Sequence, residues 1–340
     1  MSQPQPQPQP SPELFFNTIN GYQRTAAMRA AIELGLFTAI GGGAHTPAEI
    51  AKQTKAAERG IRILADYLAV QGLLAKRDGR YELTPDSAMF LDQRSPAYLG
   101  GTLRFLANPE YLGSWGQLTD AVRKGGTAMS EEGHTVAENP MWVEFARGMA
   151  PLMMPAAQAI AKILAAEKGE PMKVLDIAAG HGAFGITIAR ANPKAEIVAL
   201  DWQNVLEVAK ENAEQAGVGA RHRGLAGSAF DVDYGSGYDV VLLTNFLHHF
   251  DEPTNEKLLK KVHAALKPGG RAVVLEFVPN DDRVSPAIAA GFSLTMLAGT
   301  PAGDAYTYQQ LDRMCRAAGF RATKRYPLDP MPETVVVAEK

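Results

Sequence analysis

The chain has 340 residues, 46% of them hydrophobic and 21% charged, enough for two domains of ordinary size. Its 34 Lys and Arg stand against 37 Asp and Glu, a formal net charge of −3 that points to no polyanionic partner. No apolar run reaches the roughly 18 residues that a membrane-spanning helix needs, and the single cysteine, Cys315, excludes an intrachain disulfide. A cytoplasmic setting with no membrane partner is the expectation.

Residues 1–12 are mostly alternating Gln and Pro, without the basic start and apolar centre of a signal peptide. Such a tract buries no core and reads as a disordered tail. From residue 13 to about 108 the pattern is mainly helical. Ala27, Met28, Ala31 and Ile32 share one face, and Thr46-Pro47-Ala48-Glu49 opens a helix with a capping box. A third helix runs through Ile61, Leu64, Leu68 and Val70. Asp78-Gly79 then joins two short alternating stretches, a hairpin signal. Three helices and a hairpin make a winged helix. That raises a DNA-binding regulator as one reading, but Arg59 and Arg62 beside Asp66 are thin for tracking phosphates. The other reading is a dimerisation module, with Phe15, Phe16, Ile19 and Tyr22 set against a second subunit.

Residues 109–168 form a helical segment rich in Met and aromatics, including Trp115, Met149 and Met153. It reads as core filling or as one wall of an apolar pocket. From residue 169 to 340 strands and helices alternate, the rhythm of a doubly wound, mostly parallel sheet closed by a C-terminal antiparallel hairpin.

The chemistry-bearing signals fall at the ends of these strands. The run Val174-Leu175-Asp176-Ile177-Ala178-Ala179-Gly180-His181-Gly182-Ala183-Phe184-Gly185 is a buried strand, a glycine turn and a helix start. Gly180, Gly182 and Gly185 literally spell the dinucleotide fingerprint, which keeps a nicotinamide-dependent oxidoreductase open. Asp176 argues for another ligand: a carboxylate facing the loop suits a cationic amine better than a pyrophosphate, and S-adenosylmethionine carries an amine and a sulfonium but no phosphate. Asp201, at the next strand end before Trp202, is placed to accept ribose hydroxyls from either cofactor. Gly227-Ser228-Ala229-Phe230 follows a third strand, with Phe230 as an apolar neighbour of an adenine. Thr244-Asn245-Phe246-Leu247-His248-His249 follows a fourth, and a His at that edge suits a general base. No third ligand accompanies the His pair, so no metal is expected. His181 reads as solvent-facing or as a cofactor neighbour. His45, His134, His222 and His263 show no constellation.

Together the glycine loop, Asp201, Leu247-His248, Lys267-Pro268-Gly269-Gly270 and the N-terminal winged helix resemble the plant-type and bacterial O-methyltransferase family, over nearly all of the chain after Pro12. The resemblance implies a Rossmann-like class I methyltransferase domain and an N-terminal winged-helix dimerisation domain. It implies a homodimer, S-adenosylmethionine as cofactor with S-adenosylhomocysteine as product, and no nucleic-acid partner. It implies O-methylation of a small, aromatic hydroxyl-bearing acceptor in secondary metabolism, with C- or N-methylation open on the same scaffold. The family's base His maps to His248, and the acid that orients it maps to Glu276. The expected cofactor set is Asp176, Gly180, Gly182, Phe184, Asp201, Trp202, Gly227, Ser228, Ala229, Phe230, Thr244 and Asn245. The expected acceptor pocket is Trp115, Met149, Met153, His249, Phe292, Met296 and Tyr306. The departures are specific. Thr244 stands where the family has a cofactor-contacting Lys, Ser228 replaces an acid, and the second acid flanking the base falls near Ala305, with Asp304 beside it.

Overall fold

The computed structural model describes residues 10–340, so most of the tail read at residues 1–12 lies outside the described residues. Contacts divide the chain into two units, the first ending at Gly101 and the second beginning at Thr102.

The first unit is built from short helices and one hairpin. Thr46 caps the helix Pro47–Thr54: its hydroxyl accepts the Glu49 amide, and the Glu49 carboxylate accepts the amides of Thr46 and His45. The helix Glu58–Val70 follows, then β1 (Leu74–Arg77) and β2 (Arg80–Leu83), paired antiparallel with Arg77 opposite Arg80. Asp78 and Gly79 both have positive φ, 49° and 76°, the twist a two-residue hairpin turn requires. Leu36, Phe37, Ile40, Ile50, Ile61, Leu68 and Tyr81 form the core. The Tyr81 hydroxyl donates to Asp66, which also pairs with Arg62 and Lys76. Arg62, one of the two cations on the face a DNA-binding reading would need, is therefore already engaged by an acid. The first helix, Glu13–Ile19, and the start of the next leave Leu14, Phe15, Phe16, Ile19 and Tyr22 between 56% and 79% exposed.

The second unit holds a seven-stranded sheet in the order β5-β4-β3-β6-β7-β9-β8. Its strands are β3 (Met172–Ile177), β4 (Ala195–Asp201), β5 (His222–Ala226), β6 (Tyr238–Thr244), β7 (Leu266–Phe277), β8 (Ala322–Pro327) and β9 (Glu333–Glu339). The first five are parallel; β9 runs antiparallel to β7, and β8 antiparallel to β9. This is the expected α/β sheet with its closing hairpin. Central strands such as β3 and β6 are near-continuous apolar runs because both faces are covered. Alternate residues serve the two faces. Val174, Val240, Leu242, Val273 and Leu275 pack on one side with the helices Ala150–Ile163 and Ala183–Ala191. Leu175, Val241, Leu243 and Val274 pack on the other with Glu252–Ala265 and Tyr308–Ala317. The strand order reverses between β3 and β6. The carboxyl ends of β3, β4, β5, β6 and β7 share one edge, where open α/β sheets bind ligands.

Candidate functional site

The glycine loop after β3 is shaped by three left-handed residues, Ala178 (φ 54°), Gly180 (φ 56°) and Gly182 (φ 71°). Two carboxylates suspend it. Asp201, at the end of β4, accepts the Gly180 amide at 2.8 Å with one oxygen and the Trp202 amide at 2.7 Å with the other. Asp176, fully buried at the end of β3, accepts the Gly185 amide at 3.1 Å through Oδ2, while Oδ1 has no hydrogen-bond partner. Burial pushes the Asp176 carboxyl up to about 7, with nearby Asp201 adding to the effect, and burial lifts Asp201 to about 6. Two acids held this way lack a cation, and the free Oδ1 is the acceptor that a ligand ammonium would satisfy.

Gly185 is required by packing rather than by φ. A Cβ there would lie 2.6 Å from Ile197 and 3.1 Å from the Asp176 carboxylate, so the bare backbone lets the helix sit on the sheet. His181 departs from the solvent-facing reading. It is 2% exposed, its Nδ1 accepts the Ala183 amide, its carbonyl accepts from Asn212, and its ring stacks on Phe145 and lies tilted against Phe184. Burial lowers the pKa of the imidazole to about 4, so it is neutral. Phe184 is part of the core beneath the loop. Trp202 packs with Val205, Val208 and Trp142 beside it.

After β5, Gly227 (φ 131°) donates to the Asp201 carbonyl, and a Cβ there would strike Val232 at 2.5 Å. The Ser228 hydroxyl accepts the Phe230 amide, and Lys261 ties down the carbonyls of Ala229 and Phe230. Phe230 meets Phe250 edge-on at 4.9 Å and lies 6.5 Å from Phe246, an apolar corner at the sheet edge.

After β6, Thr244 is buried and Asn245 takes a left-handed turn, its amide donating to the Leu275 carbonyl. The Asn245 side chain donates to the Met153 sulfur at 3.4 Å, and its Oδ1 is buried without a partner. A single 3₁₀ turn, Leu247–His249, then carries the two histidines. The Glu276 carboxylate, from β7, engages this turn with both oxygens. Oε2 accepts from His248 Nδ1 at 2.5 Å, and Oε1 accepts the amides of Phe246 and His248 at 3.0 and 3.3 Å. A carboxylate can only accept, so the proton sits on Nδ1 and leaves His248 Nε2 as a lone-pair acceptor. His248 is 4% exposed and Glu276 1%. Asn255 holds the same turn by donating to the carbonyls of Leu247 and Phe250.

The pocket candidates separate. Phe292 packs edge-on to His248 at 4.9 Å and stacks on Phe277 at 4.1 Å. His249 lies 4.3 Å from His248, ring centre to ring centre, and 5.3 Å from Trp142. Met149 and Met153 are buried where the helix Ala150–Ile163 begins, and Met153 reaches Asn245. Met296 is buried on the helix Ala287–Gly299, and Trp115 is partly buried on the helix Pro109–Gly116, which packs on it. Tyr306 instead fills the core on the opposite sheet face, and its hydroxyl donates to the Phe250 carbonyl. Asp304 does not reach the imidazole. Its carboxylate pairs with Arg283, while its amide donates to the His248 carbonyl at 3.0 Å. His134, which shows no sequence pattern, is 6% exposed and stacks on Tyr111 at 5.8 Å; its carbonyl accepts the Trp142 indole N–H at 3.1 Å. Nothing local in the sequence marks it, because Tyr111 and Trp142 approach it from separate helices.

Gly185→Ala should destabilise the protein by about 1–3 kcal/mol, the range for inserting a methyl into packed structure. Urea unfolding measures this, and an unchanged midpoint contradicts the close approach to Ile197.

Comparison with known proteins agrees with this geometry. Residues 16–93 match an O-methyltransferase dimerisation domain and residues 115–321 an O-methyltransferase domain. A 3-hydroxy-5-methyl-1-naphthoate 3-O-methyltransferase of Streptomyces sahachiroi is 31% identical over 315 residues, 90% of this chain and 88% of that protein. A Nostoc punctiforme protein assigned to the O-methyltransferases superposes with a TM-score of 0.95 at 51% identity, covering 98% of this chain and all of that one. PigF, solved with SAH, superposes with a TM-score of 0.85 at 25% identity over 97% of this chain and all of that one. With both domains matched and a relative this similar along nearly its whole length, the chain belongs to the O-methyltransferase family.

Proposed function

We propose that the protein transfers a methyl group from S-adenosylmethionine to a hydroxyl of a small aromatic acceptor, with His248 as general base and Glu276 as the group that orients it. The observation that carries this reading is the buried His248–Glu276 bond, placed at the sheet edge that also holds the glycine loop. The named activities of relatives support the acceptor class: one acts on a hydroxynaphthoate, another is an acetylserotonin O-methyltransferase.

Bound S-adenosylmethionine supplies a methyl on a sulfonium, open to in-line displacement by an oxygen. Asp176 and the loop of Gly180 and Gly182 would hold its amino-acid end, Asp201 its ribose, and Phe230 with Ala229 its adenine side. Thr244 and Asn245 complete the edge near the reacting centre. His248 Nε2 takes the acceptor's hydroxyl proton as the oxygen attacks. Glu276 steadies the imidazolium that forms. Phe292 and the thioethers of Met149 and Met153 keep the site dry and the acceptor ring flat against it.

The unit with the dimerisation domain fits a winged helix that pairs two copies. Leu14, Phe15, Phe16, Ile19 and Tyr22 form an apolar face too large to leave in water. We place the dimeric enzyme in the cytoplasm and in secondary metabolism.

His248→Ala should lower turnover by about 10²–10⁴, the usual contribution of a general base, with adenosylhomocysteine affinity nearly intact; unchanged turnover removes His248 from the chemistry. Asp176 generates a pH prediction. Its carboxyl is raised to about 7 in the ligand-free protein, so at lower pH an incoming ammonium must displace a proton. The raised value also means that this group favours the fold below the usual carboxylate range and loses that contribution as pH rises through about 7. Calorimetry should show adenosylhomocysteine binding strengthen as pH climbs through about 7, and Asp176→Asn should flatten the profile. Replacing Phe15 and Phe16 together with Ser should shift the protein toward monomer in analytical ultracentrifugation; an unshifted dimer places the interface elsewhere.

A further inference from the structure

Lys261, on the helix Glu252–Ala265, directs its ammonium at uncharged partners. It donates to the backbone carbonyls of Ala229 at 3.2 Å and Phe230 at 2.8 Å, and it lies over the Tyr234 ring, 4.3 Å from the ring centre. No carboxylate pairs with it among the described residues. A partly buried ammonium gains less from carbonyls than from an acid, and here burial lowers its pKa. The segment that it holds is the turn after β5, at the sheet edge where the cofactor is seated in our reading.

That turn is closed on itself. The Ser228 hydroxyl accepts the Phe230 amide at 3.1 Å, and the Ser228 carbonyl accepts the amides of Asp231 and Val232, each at 3.1 Å. A peptide's carbonyl and amide point opposite ways, so amides turned inward to Ser228 leave the carbonyls of Ala229 and Phe230 turned outward. Those carbonyls need donors. Lys261 supplies both, and the Tyr234 hydroxyl also donates to Ala229. Tyr234 is buried, and its own carbonyl accepts the hydroxyl of Tyr238, from β6, at 2.8 Å. The turn is gripped from the sheet through Tyr234 and from the helix through Lys261. The same helix holds the turn that carries the base, because Asn255 donates to the carbonyls of Leu247 and Phe250. Phe230 and Phe250 meet edge-on at 4.9 Å where the two held segments touch.

We propose that Lys261, backed by Tyr234, is a positioning residue for the cofactor: it sets the Gly227–Phe230 turn against the adenine and fixes that turn relative to the one that carries His248. This inference rests on the proposed seating of S-adenosylmethionine. Ser228 stands where the family has an acid, and its hydroxyl oxygen is already engaged inside the turn. The adenine side then depends on where the backbone and Phe230 are placed, and Lys261 holds both.

The test uses binding by the full-length protein and needs no acceptor. Calorimetry measures adenosylhomocysteine. Saturation-transfer NMR, which reads weak ligands, measures S-ribosylhomocysteine, which keeps the amino acid and the ribose and lacks the base. The ratio of the two affinities isolates what the adenine contributes. Lys261→Met, which keeps the stem and removes the ammonium, should cut that ratio by about tenfold or more and leave S-ribosylhomocysteine within about twofold. Tyr234→Phe, which removes one hydroxyl and keeps the packed ring, should cut the ratio by about threefold, and it carries the test if Lys261→Met does not fold. A ratio unchanged in the folded variants, or an equal loss of both ligands, overturns the inference, because general damage to the fold does not tell a base from a sugar. Failure of the methyltransferase reading appears elsewhere, as lack of adenosylhomocysteine binding by the unmodified protein or as full turnover in His248→Ala.

Discussion

The Glu276 carboxylate organises this site. It is buried, so it must be satisfied from within, and it is: one oxygen takes the His248 ring, the other takes two amides of the turn that carries that ring. A free carboxylate in that place would be expensive, and a free imidazole would rotate. Each removes the other's penalty, and the outcome is a histidine with a fixed tautomer and an open Nε2 at the sheet edge. Surrounding structure keeps that pair in register. Asn255 pins the turn from below, Asp304 pins the His248 carbonyl, and Phe292 closes over the ring.

The glycine loop follows a related economy of backbone and charge. Gly185 allows the helix to touch the sheet, and Asp176 accepts the amide that this approach brings near. Asp201 reaches across from the neighbouring strand to hold Gly180. Asp176 is fully buried and Asp201 partly so, and neither pairs with a cation among the described residues. The fold carries their cost in the ligand-free protein, and a cationic ligand would relieve it.

Much of this was legible in the residues. The strand-glycine-helix run, Asp201 and His248 all lie where parallel strands end, and their order along the chain implies the edge they share, while Glu276 came from the family resemblance. The capping box at Thr46 and the Asp-Gly turn were likewise local signals that the backbone obeys. Other assignments needed contacts between distant segments. Tyr306 looked like pocket lining, but its hydroxyl finds the Phe250 carbonyl and the ring joins the core. Asp304 looked like a stand-in for a second catalytic acid, yet Arg283 claims its carboxylate. His181 was ambiguous until Phe145, from a helix far back in the chain, covered it.

The amino-acid sequence by itself determined the doubly wound class, the glycine loop, the acid-ended strands and the His at the sheet edge. These depend on period, on spacing and on chemistry carried within single segments. Only the tertiary structure decided which polar groups are already paired and which are left open. It set the neutrality of His181, the exclusion of Asp304 from the imidazole and the placing of His134 beside Trp142. The reason is physical: pairing and desolvation depend on what packs from other elements, and a linear sequence does not record that.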